Sequence, residues 1–99
     1  MSLGGIGYDS RMDFTAPEVG SRLIALLKRI LGADAALPEP LPLDMQLSHL
    51  GVSSLKMVNL MLAVEAEFDI SIPQADITPE NFHSLATICR LLLRLRGAT

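Results

Sequence analysis

The chain has 99 residues, 49% of them hydrophobic but only 4% aromatic, and a formal charge of −3. One domain with a modest aliphatic core fits that length, and packed helices fit the composition better than short strands, which need more Val, Thr and aromatics. No apolar run approaches the ~20 residues of a membrane span, and a lone cysteine, Cys89, excludes an internal disulfide framework.

Residues 1–13, with Gly4, Gly5 and Gly7, read as a flexible lead without the charged-then-apolar layout of a signal peptide. Met12 within it is a candidate native start. The domain proper is expected over 14–96, with 97–99 a flexible tail. Its first helix has Thr15 and Glu18 at the spacing of a capping box and Pro17 in the first turn, where a missing N–H costs nothing. Val19, Leu23, Leu26, Leu27, Ile30 and Leu31 then recur at helical spacing until Gly32 stops the run. Pro38, Pro40 and Pro42 exclude a helix or a central strand over 33–48. That long connection has Leu41, Leu43 and Leu47 to pin it to the core.

A second helix is expected from Ser54 to Phe68, closed by Asp69 and Pro73, with Ile70 and Ile72 turning inward along an extended exit. Residues 74–81 suit one short helical turn, capped by Thr78 with Pro79 just inside. The last helix starts at Ser84 and places Leu85, Ile88, Leu92 and Leu95 on one stripe, with Cys89 in its core. Arg90, Arg94 and Arg96 suit its C-terminal end through the macrodipole. The expected fold class is all-α: a bundle of three main helices plus one short helix, with a long first loop.

A wheel of the second helix puts Met57, Leu60, Met61, Val64 and Phe68 on a core arc, the methionines as core filling. Lys56, Asn59, Ala63, Ala66 and Glu67 fall opposite, with Leu55 and Leu62 at the edge of the exposed arc. Those two leucines are either ordinary boundary residues or the apolar anchors of a docking face. Between Pro38 and Asn81 stand seven acids (Glu39, Asp44, Glu65, Glu67, Asp69, Asp76, Glu80) against one base, Lys56. That surplus argues against a nucleic-acid partner and for docking onto basic protein surfaces.

Ahead of the helix, "LGVSSLKMV" (50–58) sets two serines at one junction. A cap needs one, and Ser53 or Ser54 can supply it. The other is available to carry a group, since a helix start offers free N–H donors and a positive dipole end to a phosphate. Asp44, His49 and Ser54 have the residue types of a hydrolase triad but no nucleophile elbow. His49, His83 and Cys89 are too few and scattered for zinc.

The stretch "LGVSSLKMVNLMLAVEAEFDISIP" (50–73) resembles the acyl carrier protein family. Members typically show Leu-Gly-x-Asp-Ser-Leu, a helix ending in Glu-x-Phe and an Ile-x-Ile-Pro exit. Leu50, Gly51, Ser54, Leu55, Glu65, Glu67, Phe68, Ile70, Ile72 and Pro73 fit that pattern, which continues through "NFHSL" (81–85) and covers roughly 17–95. The resemblance implies an acyl-carrier-protein-like bundle that is a substrate of enzymes rather than an enzyme. It implies that Ser54 bears a 4′-phosphopantetheine arm transferred from coenzyme A, beside Gly51 and Ser53, with a cargo held as a thioester on the arm's thiol. The implied partners are a phosphopantetheinyl transferase, a cargo-loading ligase or synthetase-like enzyme and a downstream acyl or aminoacyl acceptor enzyme. The expected setting is the cytoplasm and the expected state a monomer. Docking would use Leu55, Lys56, Asn59, Leu62 and Ala63. Ser53 departs from the family's usual aspartate, and Lys56 and Asn59 stand where carriers of fatty acid synthesis are usually acidic. These departures point to a specialised carrier, and Gly-x-Ser-Ser also resembles freestanding bacterial aminoacyl carrier proteins. The alternative is an unmodified helical adaptor docking through Leu55 and Leu62.

Overall fold

The computed structural model describes residues 15–32 and 35–97, so the lead expected over 1–13 and residues 98–99 of the expected tail lie outside the described residues. Helix α1 (Ala16–Leu31) starts as its sequence requires, with the Glu18 N–H donating to Thr15 Oγ1 at 3.4 Å. The capping box is half made. The Glu18 carboxylate turns along the helix to Arg22 Nε at 3.0 Å instead of back to the cap. Gly32, at φ +91°, ends α1 and donates its N–H to the Lys28 carbonyl at 2.9 Å. Val19, Leu23, Leu26 and Leu27 form the buried stripe.

The proline-rich connection is held at both ends. Leu41 and Leu47 are buried and Leu43 half-buried. Leu43 lies over Gly20, where a Cβ would stand 3.3 Å from its Cδ1, so a glycine inside α1 permits the close approach. The Leu43 carbonyl accepts the Ala86 N–H at 2.8 Å and the His83 carbonyl accepts the Leu47 N–H at 2.9 Å, sewing the loop to the last helix. Lys28 Nζ holds Glu39 Oε2 at 3.0 Å. One turn escapes the sequence reading: Leu47–Leu50 forms a 3₁₀ helix.

Helix α2 spans Ser54–Phe68, as expected. Asp69 ends it in the left-handed region at φ +51°. The extended exit is fastened by Glu65, whose carboxylate accepts the Ile72 N–H at 2.8 Å and whose carbonyl accepts the Ile70 N–H at 3.1 Å. Ile72 is buried, whereas Ile70 is half-buried. The next short helix lies within the expected 74–81 but ahead of its expected cap: a 3₁₀ turn covers Gln74–Asp76, before Thr78. Pro73 opens it, because its fixed φ suits the residue before a helical turn. Thr78 caps a separate turn, its Oγ1 accepting the Asn81 N–H at 3.1 Å.

Helix α3 runs Leu85–Gly97 and so takes in Gly97, which the sequence assigned to the tail. Its buried stripe is wider than expected, with Cys89 and Leu91 joining Leu85, Ile88 and Leu92, while Leu95 is half-buried. Helix α1 packs against both α2 and α3, and Leu23, Leu27, Leu60, Val64, Ile88, Leu91 and Leu92 are wholly excluded from water at the centre. The fold is all-α, and no helix among the described residues is long and apolar enough to cross a membrane.

Candidate functional site at the start of helix α2

Gly51 sets the entry angle. It closes the 3₁₀ turn at φ +95° and ψ 14°, and its N–H returns to the Leu47 and Ser48 carbonyls. An alanine there would meet no neighbour but would be forced into the left-handed region. Val52 is then buried as an anchor, which leaves Ser53 and Ser54 to begin the helix in the open.

The two serines have different duties. Ser53 is the N-cap, with extended backbone and its Oγ accepting the Lys56 N–H at 3.3 Å. Its carbonyl accepts the Met57 N–H at 2.8 Å. A serine where the family usually has aspartate therefore keeps the cap and removes the charge. Ser54 is the first helical residue, exposed, and its hydroxyl has no hydrogen-bond partner among the described residues. Its own N–H and that of Leu55 belong to the first turn and have no acceptor within the helix. An exposed hydroxyl beside free N–H donors at the positive end of a helix fits a phosphate ester at that oxygen.

Around α2 the structure turns the exposed face relative to the wheel. Leu55 (73% exposed) and Leu62 (60%) are central to that face rather than at its edge, with Val58 (47%) beside them. Asn59 is exposed on the flank, while Lys56 and Ala63 are half-buried toward the α1 side. That flank closes because Glu67 reaches Arg22 of α1 at 3.6 Å, and the Arg22 guanidinium lies 5.9 Å from the centre of the Phe68 ring. Sequence reading missed Val58, and Ile77 (42% exposed) across the cleft. The wheel places Val58 beside Leu62, so the helical signal for it existed; nothing local identified Ile77.

Met57 and Met61 do more than fill the core. Both are half-buried and line a cleft of about 390 Å³ between the start of α2 and the 77–83 segment, with Val52, Ile77, Phe82 and His83. Ser54 stands on the same edge of α2, three and seven residues before the two methionines. Cys89 lies elsewhere: buried, with its Sγ donating to the Ala16 carbonyl at 3.8 Å. Burial pushes its thiol above the ordinary value, against a smaller opposing pull from Arg90. Asp44, His49 and Ser54 form no hydrogen-bonded triad, and no metal-binding group occurs among the described residues.

The site is thus one exposed hydroxyl at a helix start, Ser54, beside the exposed apolar side chains Leu55, Val58 and Leu62. The family profile described as "Phosphopantetheine attachment site" matches residues 21–92. The chain is 47% identical over 83 residues to Aminoacyl carrier protein 1 of Bradyrhizobium diazoefficiens, covering 83% of this chain and 91% of that one. It is 40% identical over 87 residues to Aminoacyl carrier protein 2 of the same organism, covering 88% and 97%. Among solved structures it superposes on a chain of the Bradyrhizobium japonicum glycine:carrier protein ligase complexed with glycylated carrier protein. There the TM-score is 0.68 at 38% identity, covering 74% of this chain and 96% of that one. A second complex of that ligase, with cognate carrier protein and a glycyl adenylate analogue, gives 0.70 at 37%, covering 77% and 96%. The chain belongs to the phosphopantetheine-attachment family, as an acyl or aminoacyl carrier protein, and 4′-phosphopantetheine is its covalent cofactor.

Proposed function

We propose that Ser54 carries the arm and that the cargo is an amino acid, loaded by a synthetase-like ligase and passed on to an acceptor enzyme. The observation that carries the first half is the pair of serines: Ser53 is occupied as the cap, and Ser54 is exposed with no partner. The second half rests on the similarity to the two aminoacyl carrier proteins and to the chains solved with a glycine:carrier protein ligase. When attached, the arm supplies a flexible thiol that holds the cargo as a thioester. The protein's own residues fix where the arm begins and what surface the enzymes see. Gly51 aims the serines outward, Ser53 secures the first turn, and Leu55 and Leu62 offer apolar contacts, with Lys56, Asn59 and Ala63 on their flank. The chain performs no chemistry itself.

The same reading makes it a cytoplasmic monomer. Its single cysteine is free and buried, and among the described residues the exposed large apolar side chains are four, Leu55, Val58, Leu62 and Ile77. The unmodified adaptor reading uses the same leucines but leaves the free Ser54 hydroxyl without purpose. Incubation with coenzyme A and a broad-specificity transferase, followed by intact mass and peptide mapping, tests the attachment. One arm on Ser54, then a glycyl or other aminoacyl increment with a ligase and ATP, is expected. An arm mapped to Ser53, or none with any transferase, overturns the assignment.

A further inference from the structure

The chain holds eight lysines and arginines, and arginine, which a thioester does not acylate, supplies six of them. Its side-chain amines are therefore two, Lys28 and Lys56. They are differently placed. Lys28 Nζ is committed to Glu39 Oε2 at 3.0 Å, where it ties α1 to the proline-rich connection. Lys56 enters none of the ion pairs among the described residues, and no acid stands near it in the chain between Met45 and Val64. It is the third residue of α2, two after Ser54, and its N–H is the one that the Ser53 cap holds at 3.3 Å. Ser54 and Lys56 thus share one capped turn, about 3 Å apart along an axis whose backbone cylinder is about 2.3 Å in radius.

An arm that hands cargo to the active site of another protein spans more than that. Cargo held as a thioester therefore meets the Lys56 amine within one molecule, at the effective concentration of a short flexible tether, on the order of millimolar. We infer that Lys56 is an internal acyl acceptor: cargo that no partner collects passes to Lys56 Nζ as an amide. The neutral amine of Lys56 supplies the electron pair for the new C–N bond to the thioester carbonyl carbon. The C–S bond breaks, and the sulfur leaves with its electrons as a thiolate. The proton that the nitrogen gives up passes through water to that sulfur, so thioester and amine become amide and free thiol with no other reactant. Lys56 is consumed once, so the chain is modified and turns nothing over. The inference rests on the proposed attachment at Ser54 and is independent of which acyl group is carried.

The test needs no loading ligase. A broad-specificity transferase with acetyl-coenzyme A installs the arm already acylated, and the transferase is then removed. The protein is incubated and treated with hydroxylamine, which strips thioesters and spares amides. Intact mass and peptide mapping should find one resistant acetyl, on Lys56, with Lys28 unmodified. Its rate of appearance should be unchanged by about tenfold dilution, the mark of a reaction within one molecule. Lys56→Arg keeps the cation but offers no amine that acylates, so among chains of equal starting acetyl content the resistant acetyl should be lost. An isotope-labelled chain carrying Ser54→Ala, mixed in equal amount, should stay unacetylated because it has Lys56 but no arm. Resistant acetyl on the Ser54→Ala chain, on Lys28 to the same extent, or unchanged in Lys56→Arg overturns the inference. So does an armed parent that yields none on Lys56, and in that case the attachment reading stands. A parent that gains no arm fails before the incubation, and both readings fall.

Discussion

Helices α2 and α3 both open with a serine cap, and they treat it in opposite ways. At α3 the cap is buried and doubly tied: Ser84, 2% exposed, accepts the Thr87 N–H at 3.2 Å while Thr87 Oγ1 accepts the Ser84 N–H at 3.0 Å. The Thr87 hydroxyl in turn donates between the Asn81 carbonyl at 2.9 Å and the Ser84 carbonyl at 2.8 Å. At α2 the cap is exposed, makes one side-chain bond of 3.3 Å, and is followed by a second, unpartnered hydroxyl. The nucleophiles divide in the same way, since α3 shelters the Cys89 thiol and α2 displays the Ser54 hydroxyl. A helix start used only for the fold satisfies its polar groups internally. The one proposed for attachment keeps a donor set and a hydroxyl in the open.

The largest effect should separate the two serines of α2. Ser54→Ala is expected to abolish the mass gain of the arm completely while leaving the urea midpoint within experimental error, because its hydroxyl holds nothing in the fold. A midpoint that falls with Ser54→Ala would show that this serine shares the capping. Next in size, Ser84→Ala should destabilise by ~2 kcal/mol, losing a cap and leaving the Thr87 N–H without its acceptor in a buried setting. Modification of the remaining folded protein should be normal. Ser53→Ala should cost less, about 0.5–1 kcal/mol, because water can reach the Lys56 N–H it uncovers. Its arm should still be attached, at a reduced rate.

The bounds of α1 and α2 and the core positions Leu23, Leu27, Leu60 and Val64 were legible because helical period, caps and prolines are local signals. Which serine caps α2 was not legible, since the two are adjacent and either can serve; the turn at Gly51 decides it. The wheel fixed the buried arc of α2 but misplaced the outer one. It treats the helix as covered from a single side, whereas α1 covers the Ala63 flank and the 77–83 segment covers the Met57 and Met61 flank. The destinations of the acids were equally out of reach, because Glu39, Glu67 and Asp76 meet bases 11, 45 and 18 positions away. Sequence supplied the attachment motif; tertiary packing determined which side of it a partner meets.

A smaller effect should come from the turn that aims the site. Gly51→Ala leaves open space around the new methyl but forces φ +95° on a residue with a Cβ, costing about 1–2 kcal/mol. The chain can relieve this by rotating the Gly51–Ser53 segment, which would move Ser54 relative to Leu55. Arm attachment should therefore slow more than the stability loss explains, whereas the α3 start, tied by Thr87, should be unaffected. If attachment keeps the parent rate despite a lowered midpoint, Gly51 serves the fold alone.

The smallest effect belongs to the sheltered nucleophile. Burial raises the Cys89 thiol above its ordinary value of 9.0, so at neutral pH it stays protonated and out of competition with the arm for cargo. Above about pH 9 the unfolded chain loses this proton before the folded one does. The unfolded state then binds fewer protons, and the stability present below that pH declines as pH rises toward the folded value. The urea midpoint of the parent should accordingly fall more steeply between about pH 8 and pH 10 than that of Cys89→Ala, with the difference in slopes isolating this thiol from other titrating groups. Cys89→Ala should also lower the midpoint at every pH by opening a small void between α3 and the start of α1, so the slope rather than the level is diagnostic. Parallel slopes, together with rapid alkylation of Cys89 in the folded protein at neutral pH, would mean that α3 exposes its nucleophile as α2 does, and the contrast between the two helices would be lost.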